Sequence, residues 1–418
     1  MEQNKDFFIG TAMDRRELLK KSGMAVLAVG GVLQFLIACT EIKPKQRGSS
    51  SVPSAGELKD EAIDNIFKIN LAVKKDERVL VFTDDHKPLI VEETEYVAKR
   101  GANFSQILFF KYPSTHLPGE EPPKSLWEKA FGKYIVTEIE RMRLMEKLLE
   151  KKISDEELET IQEIVRKNKK DVVQVVIALA WNSTTHTTFR KLLTRSAGVR
   201  YASMPAFDPR MWQTAMSANW EEVARRTLFL KNKLSGAISA RVRVSNGTDI
   251  SFELKDRVFS ADTGLLNKPG QSGNLPAGEL AIAPLERRSI GKMVLEPGVN
   301  PGVRSQVVLE IKDGAVSRMS GDAGYISWLE QTFKKYPLAR NIAEFAIGTN
   351  EKAKTGTTML ELEKILGTIH VAIGDNSTIG GKTLVPFHID FLFENPIVEV
   401  ELSDGRTLKI LEDGKPLW

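Results

Sequence analysis

The sequence predicts an α/β N-terminal domain followed by a β-rich α+β C-terminal domain. From residue 58 onward, runs typical of buried strands alternate with amphipathic helical runs, the pattern of a mostly parallel sheet covered by helices. From residue 237 the pattern changes to short β-type runs separated by Gly, Asn and Asp turns. A length of 418 residues also exceeds what one ordinary hydrophobic core organises. We therefore predict a domain boundary between residues 235 and 236.

Composition narrows the classes of partner and of site. A net charge of +4 from 59 basic and 55 acidic residues, with only 7% aromatic residues, gives no case for binding nucleic acid. Cys39 is the single cysteine, so the chain cannot form an internal disulfide or a thiolate zinc site. Any metal must therefore be held by His, Asp and Glu side chains, and only five His are present.

Residues 1–39 are typical of an export signal. Asp14–Lys20 has the twin-arginine pattern, and the apolar run Met24–Ala38 follows it. The run leads into a Leu-Ile-Ala-Cys sequence that resembles the lipobox of bacterial lipoproteins. We therefore expect lipidation at Cys39 and an exported chain anchored to a membrane at the cell envelope; an uncleaved membrane anchor is the alternative. Residues 40–57 are rich in Ser, Gly and Pro and predict a flexible tether.

Within the α/β domain, residues 58–235, hydrophobic periodicity predicts helices and strands in alternation. The predicted helices are Leu58–Ala72, Leu89–Arg100 and Trp220–Leu234, and the predicted strands are Arg78–Thr83, Phe104–Phe110 and Val172–Ala180. Residues 122–170 interrupt this alternation with a highly charged segment that has Leu, Met and Ile at helical spacing. This segment predicts a helical insertion or lid, with a solvated helix face as the alternative.

In the C-terminal domain, residues 236–418, β-type runs lie between turn sequences. These runs are Ala237–Val244, Ile250–Leu254, Glu279–Ala283, Val307–Ile311, Ile397–Leu402 and Leu408–Leu411. Thr358–Ile365 predicts a helix, with Thr358 and Glu361 at capping-box spacing.

Several segments of this domain carry residue types that bind metals. Glu279 follows a rigid Pro-Ala-Gly turn, while Glu344 and His370 lie on strands among small residues, where a lone polar side chain is costly unless it is paired or binds an ion. His388 and Asp390 are two positions apart on a strand, so both face the same side. Two His and three carboxylates suit Zn, Co or Mn. For each His taken alone, a satisfied core residue is the alternative.

The motifs around these residues resemble those of the aminopeptidase T family of metallopeptidases, also called thermophilic aminopeptidases. The matching segments, in the family's order, are Asn274–Glu279, Ala343–Gly348, Ile369–Gly374 and Phe387–Phe391, with weaker support from Tyr201–Pro205. The resemblance covers residue 58 to the end of the chain. It implies two divalent metal ions (Zn, Co or Mn) bound by Glu279, Glu344, His370, His388 and Asp390, with Glu344 as the bridging carboxylate.

The resemblance also implies an activity, a metal-dependent aminopeptidase that removes N-terminal residues from a peptide substrate. Glu279 and Glu344 are then the catalytic candidates: a metal-activated water attacks the carbonyl, and Glu279 passes a proton to the leaving amine. Ser377 departs from the family, which has a tyrosine there. Asp375 or Ser377 could substitute for it as a substrate-binding residue, or simply form a turn.

Three points stay open at this level. The segment 122–170 could wall off the substrate site or supply a homodimer contact. A catalytically weak or inactive metal-binding lipoprotein of the same fold is the first alternative to a peptidase. An anchored structural protein without any metal is the second.

Overall fold

A parallel β-sheet organises the N-terminal half of the chain in the computed structural model, which describes residues 53–418. Its first strands are β1 Arg78–Asp84, β2 Gln106–Tyr112, β3 Val175–Ala178 and β4 Arg200–Ser203. They are ordered β2-β1-β3-β4, and all neighbours are parallel. Leu80 and Phe82 of β1 belong to one apolar cluster, and Val79 and Val81 belong to another. Both faces of the sheet are therefore covered, which explains why β1 is apolar without alternation.

Helices supply those two covering layers. They are α1 Ala55–Asn65, α2 Pro88–Gly101, α3 Lys124–Phe131, α4 Lys133–Arg141, α5 Met145–Leu149, α6 Asp155–Lys167, α7 Thr188–Lys191 and α8 Trp220–Lys233. Two π-helical turns, Ile66–Asn70 and Leu192–Ala197, continue α1 and α7.

The first helix begins within the predicted tether, before its predicted start at Leu58. The Ser54 hydroxyl accepts from the Glu57 N–H at 3.3 Å, and the Glu57 carboxylate accepts from the Ser54 N–H at 2.7 Å. This capping box satisfies backbone donors that would otherwise be unpaired. The predicted export signal, Cys39 and most of the tether lie outside the described residues. Between residues 53 and 418, no helix is both long and apolar enough to cross a membrane.

The charged segment at residues 122–170 is helical and forms one layer of the fold. Trp127, Phe131 and Ile135 are fully buried and belong to the same apolar cluster as Leu80 and Phe82 of β1. Its apolar stripe therefore covers the parallel sheet, which explains the helical spacing of Leu, Met and Ile. Its suggested roles as a substrate wall or dimer contact stay predictions.

The C-terminal half contains two antiparallel sheets that pack face to face. Its strands are β5 Ala237–Arg243, β6 Asp249–Glu253, β7 Ser260–Asp262, β8 Ser272–Asn274, β9 Glu279–Ile282, β10 Ile290–Leu295, β11 Val307–Lys312, β12 Ala315–Gly321, β13 Ile342–Gly348, β14 Ile369–Gly374, β15 His388–Phe393, β16 Ile397–Leu402, β17 Thr407–Glu412 and β18 Lys415–Pro416. The larger sheet has the order β12-β11-β10-β6-β5-β16-β17-β18. The smaller one, called the site sheet below, has the order β15-β14-β13-β9-β7. The helices of this half are α9 Ala323–Lys335 and α10 Met359–Leu362.

One face of the site sheet packs on the larger sheet. Phe345, Val371 and Phe391 are buried in the same apolar cluster as Val242 and Phe252. The rings of Phe252 and Phe345 stack with centroids 5.0 Å apart. The predicted fold class, an α/β N-terminal half with a β-rich C-terminal half, is confirmed.

Strand β8 connects the two halves. Between β7 and β9, which pair with each other in the site sheet, the chain crosses over and β8 becomes the fifth parallel strand, beside β4. Residues 53–418 form one compact unit. The boundary predicted between residues 235 and 236 falls between α8 and β5 and stays a prediction.

The helix predicted at Thr358–Ile365 is much shorter than expected. Only Met359–Leu362 is helical, and the Thr358 side chain makes no capping hydrogen bond. The Glu361 carboxylate is buried and accepts from the N–H groups of Ala215 and Lys354 and from the Thr357 hydroxyl. The capping-box prediction is wrong because Glu361 satisfies donors of neighbouring segments instead.

Candidate metal centre

The face of the site sheet that points away from the larger sheet brings the predicted acidic and histidine residues together. Glu344 on β13 pairs with Ala372 on β14, which pairs with Asp390 on β15. His370 pairs with Ala346, and Glu279 pairs with Gly348. Because directly paired residues of antiparallel strands point to the same face, the donors lie side by side with small residues between them. Ala346 and Ala372 therefore separate the donors with short, buried side chains.

Gly348 is required by a close approach of the backbone. A Cβ atom at this position would lie 2.0 Å from the carbonyl oxygen of Ile365. The absence of a side chain therefore lets the segment after α10 cross directly over β13. That crossing brings Glu363 and Lys364 to the candidate site.

The donor atoms form overlapping triplets. Glu279, Glu344 and His370 offer ligand atoms within 4.8 Å of one another, and so do Glu344, His388 and Asp390. Glu344 belongs to both, since its Oε1 lies 3.6 Å from His370 Nε2 and its Oε2 lies 3.5 Å from His388 Nε2. All five residues predicted as ligands therefore lie close together, and Glu344 is shared by the two triplets; its role as a bridging ligand stays a prediction.

His388 is oriented by the loop that precedes β15. Its Nδ1 donates to the carbonyl oxygen of Asp375 at 2.8 Å, and its Nε2 faces Asp390 Oδ1 at 3.3 Å. A carbonyl can only accept, so Nδ1 carries the proton and Nε2 remains available as a ligand. About 30% of the His388 side chain is exposed, whereas that of His370 is almost completely buried. The centre therefore opens to solvent on the β15 side.

Asp375 and Ser377, the predicted substrate-binding or substitute residues, form a turn. The Ser377 hydroxyl donates to the Asp375 carboxylate at 2.9 Å, and the same carboxylate accepts from the Val385 N–H at 3.0 Å. The turn alternative considered for these residues fits this geometry. Asp375 contributes to the centre through its backbone carbonyl, which holds His388.

Hydrogen bonds and an ion pair hold the loop that carries Asp375 in place. The Asn376 Nδ2 donates to Glu286 at 3.1 Å, and the Asn376 Oδ1 accepts from the Thr383 N–H at 2.8 Å. Glu286 is ion-paired with Arg257, which also donates to the backbone of the loop. Asn376 is fully buried, so this network fixes the position of the carbonyl that orients His388.

Three further ionisable residues at the centre had no clear signal in the sequence. Lys364 is completely buried, and its Nζ lies 2.7 Å from Glu279 Oε1, 2.9 Å from Glu363 Oε1 and 3.6 Å from Asp262 Oδ2. Glu363 also forms a third triplet with His370 and Asp390. Glu363 and Lys364 fell within a predicted helix, where charges indicate a solvated face. Asp262 lies on a strand too short to predict.

The carboxylates dominate the electrostatics of the two histidines. Burial lowers the pKa of His370, but Glu344, Glu279 and Asp390 outweigh it and raise the pKa to about 9. Burial lowers the pKa of His388 as well, and Asp390 and Glu344 raise it to about 10. Burial raises the pKa of Asp390, but the two rings hold it well below its ordinary value. In the metal-free protein, both rings are therefore positively charged at neutral pH.

Lys364 stays charged in spite of its burial. Burial lowers its pKa, but Glu279, Glu363 and Asp262 raise it well above the ordinary value. Burial raises the pKa of Glu363 to about 8 and that of Asp262 to about 7, although Lys364 lowers both. The centre thus contains one permanent internal cation and more acidic groups than that cation can neutralise.

This donor set fits a divalent metal ion. Each of the first two triplets offers one imidazole and two carboxylates, which are ligands for Fe, Mn, Co or Zn. Glu279 Oε2 is buried, has no hydrogen-bond partner among the described residues, and lies 3.5 Å from His370 Nε2. A buried oxygen without a donor is costly, and a cation bound between it and the ring nitrogen would satisfy both.

Comparisons with known proteins show which protein family the chain resembles. A family model described as "NicX: 2,5-dihydroxypyridine 5,6-dioxygenase" matches residues 150–415. A 2,5-dihydroxypyridine 5,6-dioxygenase of Pseudomonas putida is 24% identical over 192 residues, which cover 42% of this chain and 54% of that protein. The chain therefore spans about half the length of the curated relative it matches.

Solved structures agree on the fold. The structure of a 2,5-dihydroxypyridine dioxygenase from Pseudomonas putida KT2440 superposes with a TM-score of 0.63 at 18% identity, covering 88% of this chain and 98% of that chain. Wild-type AmpT from Thermus thermophilus superposes with a TM-score of 0.55 at 14% identity, covering 87% of this chain and 100% of that chain. The resemblance to the aminopeptidase T family is thus supported for the fold.

The predicted activity is wrong. The family model and the curated relative both name an oxygenase, so the prediction of an aminopeptidase, and with it of a hydrolase or protease, is overturned. The prediction of an enzyme is supported by the same relatives. The motifs around Glu279, Glu344, His370 and His388 indicate a fold and a group of candidate metal ligands, and one such arrangement can serve different reactions.

Proposed function

Because the chain belongs to the NicX family of 2,5-dihydroxypyridine 5,6-dioxygenases, we propose that it is a metal-dependent dioxygenase that opens the ring of a hydroxylated nitrogen heteroaromatic compound. Both atoms of O2 would be added across one carbon–carbon bond of the ring, which breaks to give two carbonyl groups. The four electrons that reduce O2 come from that bond, so the reaction needs no external reductant. The observation that carries the proposal is that all five candidate ligands lie within the matched residues 150–415.

The chain's residues have distinct roles in this proposal. Glu279, Glu344, His370, His388 and Asp390 would hold a divalent ion. Such an ion, when bound, supplies Lewis acidity toward a ring hydroxyl and, if it is iron, electron transfer to O2. The exposed edge of His388 marks the side from which the ring would enter.

We propose two metal positions in this centre, one at each triplet, with Glu344 shared between them. With its carboxyl groups ionised and both rings neutral, the cluster of Glu279, Glu344, Asp390, Asp262, Glu363 and Lys364 carries a net charge of −4. Two divalent ions would balance that charge, whereas with one ion the remaining excess would have to be neutralised by protons on groups such as Glu363 and Asp262, whose pKa values burial raises.

The test is turnover of 2,5-dihydroxypyridine by the metal-stripped full-length chain, reconstituted without air with Fe2+, Mn2+, Co2+ or Zn2+. Oxygen uptake, loss of the ring's ultraviolet absorption and incorporation of both labels from 18O2 are the expected results. Metal analysis of the same samples gives the number of ions per chain.

Two variants make this test specific. Glu344→Gln removes a ligand from both triplets and should abolish uptake of metal and oxygen. Glu399→Gln changes a carboxylate that is paired with Arg243 on the larger sheet and should leave both intact. A chain that binds metal but consumes no oxygen with this or related hydroxypyridines, under any of the four ions, would refute the proposal.

A further inference from the structure

Lys364 occupies an unusual position for a lysine. Its side chain is completely buried, and its nearest charged neighbour is Glu279, one of the candidate metal ligands. A buried ammonium is strongly disfavoured unless carboxylates surround it. Glu279, Glu363 and Asp262 provide that surrounding. The metal-dependent function proposed above does not by itself require a lysine here.

The backbone holds Lys364 in this position. Its carbonyl accepts from the Asn350 N–H at 2.9 Å, and its N–H donates to the backbone carbonyl of Glu361 at 3.0 Å. Gly348 allows the adjoining residue, Ile365, to pass directly over β13. The ammonium therefore reaches Glu279 from a fixed point and not from a mobile loop.

The two oxygens of Glu279 have different surroundings. Oε1 lies 2.7 Å from Lys364 Nζ, whereas Oε2 lies 3.5 Å from His370 Nε2 and has no hydrogen-bond partner among the described residues. One oxygen is thus occupied by a permanent cation, and the other is buried and directed at the candidate metal position.

From this asymmetry we infer that Lys364 is a positioning residue that restricts Glu279 to one-oxygen metal coordination. This inference rests on the proposed metal-dependent function. A carboxylate free to use both oxygens would occupy an additional coordination position. An oxygenase centre needs open positions for its substrate and for O2. Lys364 therefore keeps one position free by binding the oxygen that would otherwise fill it.

The test uses Co2+ as a spectroscopic probe of the metal-stripped full-length chain, without turnover. In Lys364→Met, Glu279 gains a second free oxygen and the centre loses one positive charge, and both changes favour the cation. We expect Co2+ to bind at least about tenfold more tightly in competition with a chelator. We also expect weaker visible absorption bands, because these bands lose intensity as the coordination number of Co2+ rises.

Two further variants separate this role from a structural one. Lys364→Arg keeps a charged donor near Glu279 Oε1 and should restore the wild-type spectrum. Lys409→Met removes a surface lysine that pairs with Glu412 at 2.9 Å and should change neither affinity nor spectrum.

The outcomes distinguish this inference from the proposed function. If the wild-type chain takes up no metal, the proposed function fails. If the wild-type chain binds Co2+ and Lys364→Met binds it with the same or lower affinity and an unchanged spectrum, only the role of Lys364 is refuted.

Should Lys364→Met not fold, infrared spectra of the wild-type chain still decide. Metal-induced carboxylate bands that disappear in Glu279→Gln belong to Glu279. A wide separation between its antisymmetric and symmetric stretches supports one-oxygen coordination, and a narrow separation refutes it.

Discussion

The hydrogen bonds that hold the loop preceding β15 can be tested by replacing Asn376 with alanine. Asn376 is fully buried, donates to Glu286 at 3.1 Å and accepts from the Thr383 N–H at 2.8 Å. Its neighbour Asp375 supplies the carbonyl that accepts from His388 Nδ1. Asn376→Ala should therefore affect both the stability of the chain and the orientation of one candidate ligand.

The two effects have different expected sizes. Two lost hydrogen bonds contribute about 0.5–1.5 kcal/mol each, and leaving the buried Thr383 N–H without an acceptor adds about 1–3 kcal/mol, so the free energy of unfolding should fall by about 2–6 kcal/mol. Loss of a group that orients a metal ligand weakens metal affinity about 10–100-fold. The second effect should appear because the ring of His388 is no longer fixed with Nε2 toward Glu344 and Asp390.

The assay combines urea unfolding of the metal-free chain with Co2+ binding measured by chelator competition. Asn70→Ala is the matched control, since Asn70 is equally buried and donates to the Gly264 carbonyl at 2.9 Å. It should destabilise the chain without weakening metal binding. If Asn376→Ala lowers stability but leaves metal affinity unchanged, the loop does not orient His388 and the reasoning is refuted.

Three further predictions follow from the site sheet and its surroundings. Gly348→Ala should destabilise the chain by at least about 1–3 kcal/mol in urea unfolding, because its Cβ would collide with the Ile365 carbonyl. The control Gly56→Ala, in the open first turn of α1, should not destabilise the chain. Equal stability of the two variants would contradict the close approach at Gly348. Phe345→Ala should cost about 3–5 kcal/mol, measured in the same way, because the ring is fully buried against Phe252; a smaller loss than about 1 kcal/mol would show that the two sheets are not packed there. The metal-free chain should lose stability as the pH rises from about 6 to 10, because four groups have folded-state pKa values above their ordinary ones and so bind protons more tightly in the folded state. Metal loading should make the stability less dependent on pH. A midpoint of urea unfolding that rises over this pH range would contradict the prediction. These groups are Asp262, Glu363, His370 and His388.

The strands and the five donors could be predicted because their signals are local. His388 and Asp390 share a face by the two-residue period of a strand, and Glu344 and His370 stand out as polar residues among alanine and glycine. The prediction that they meet required only that β9, β13, β14 and β15 be neighbours. The helical layer at residues 122–170 was also visible from its periodicity, although the surface it covers was not.

Lys364 and Glu363 could not be predicted, because their role depends on how the chain folds back over Gly348. In the sequence they are charged residues near the end of a predicted helix, Thr358–Ile365, and that pattern is typical of a solvated surface. Only the register of β13 against β9 places Glu279 beneath them. The reaction was wrongly predicted for a related reason. The motifs indicate which candidate ligands lie together, whereas the chemistry would depend on which positions around a bound cation stay open.

The crossing of β8 has a consequence for how this chain can be engineered. Cutting between residues 235 and 236 would leave the N-terminal fragment without its fifth parallel strand. The C-terminal fragment would keep β8, which follows β7 and precedes β9 along the chain, without the strand β4 that pairs with it. Neither fragment is then a module that can be transplanted or recombined with a foreign partner. Chimeras that preserve the centre must exchange both halves together, or must carry residues 272–274 with the parallel sheet that receives them.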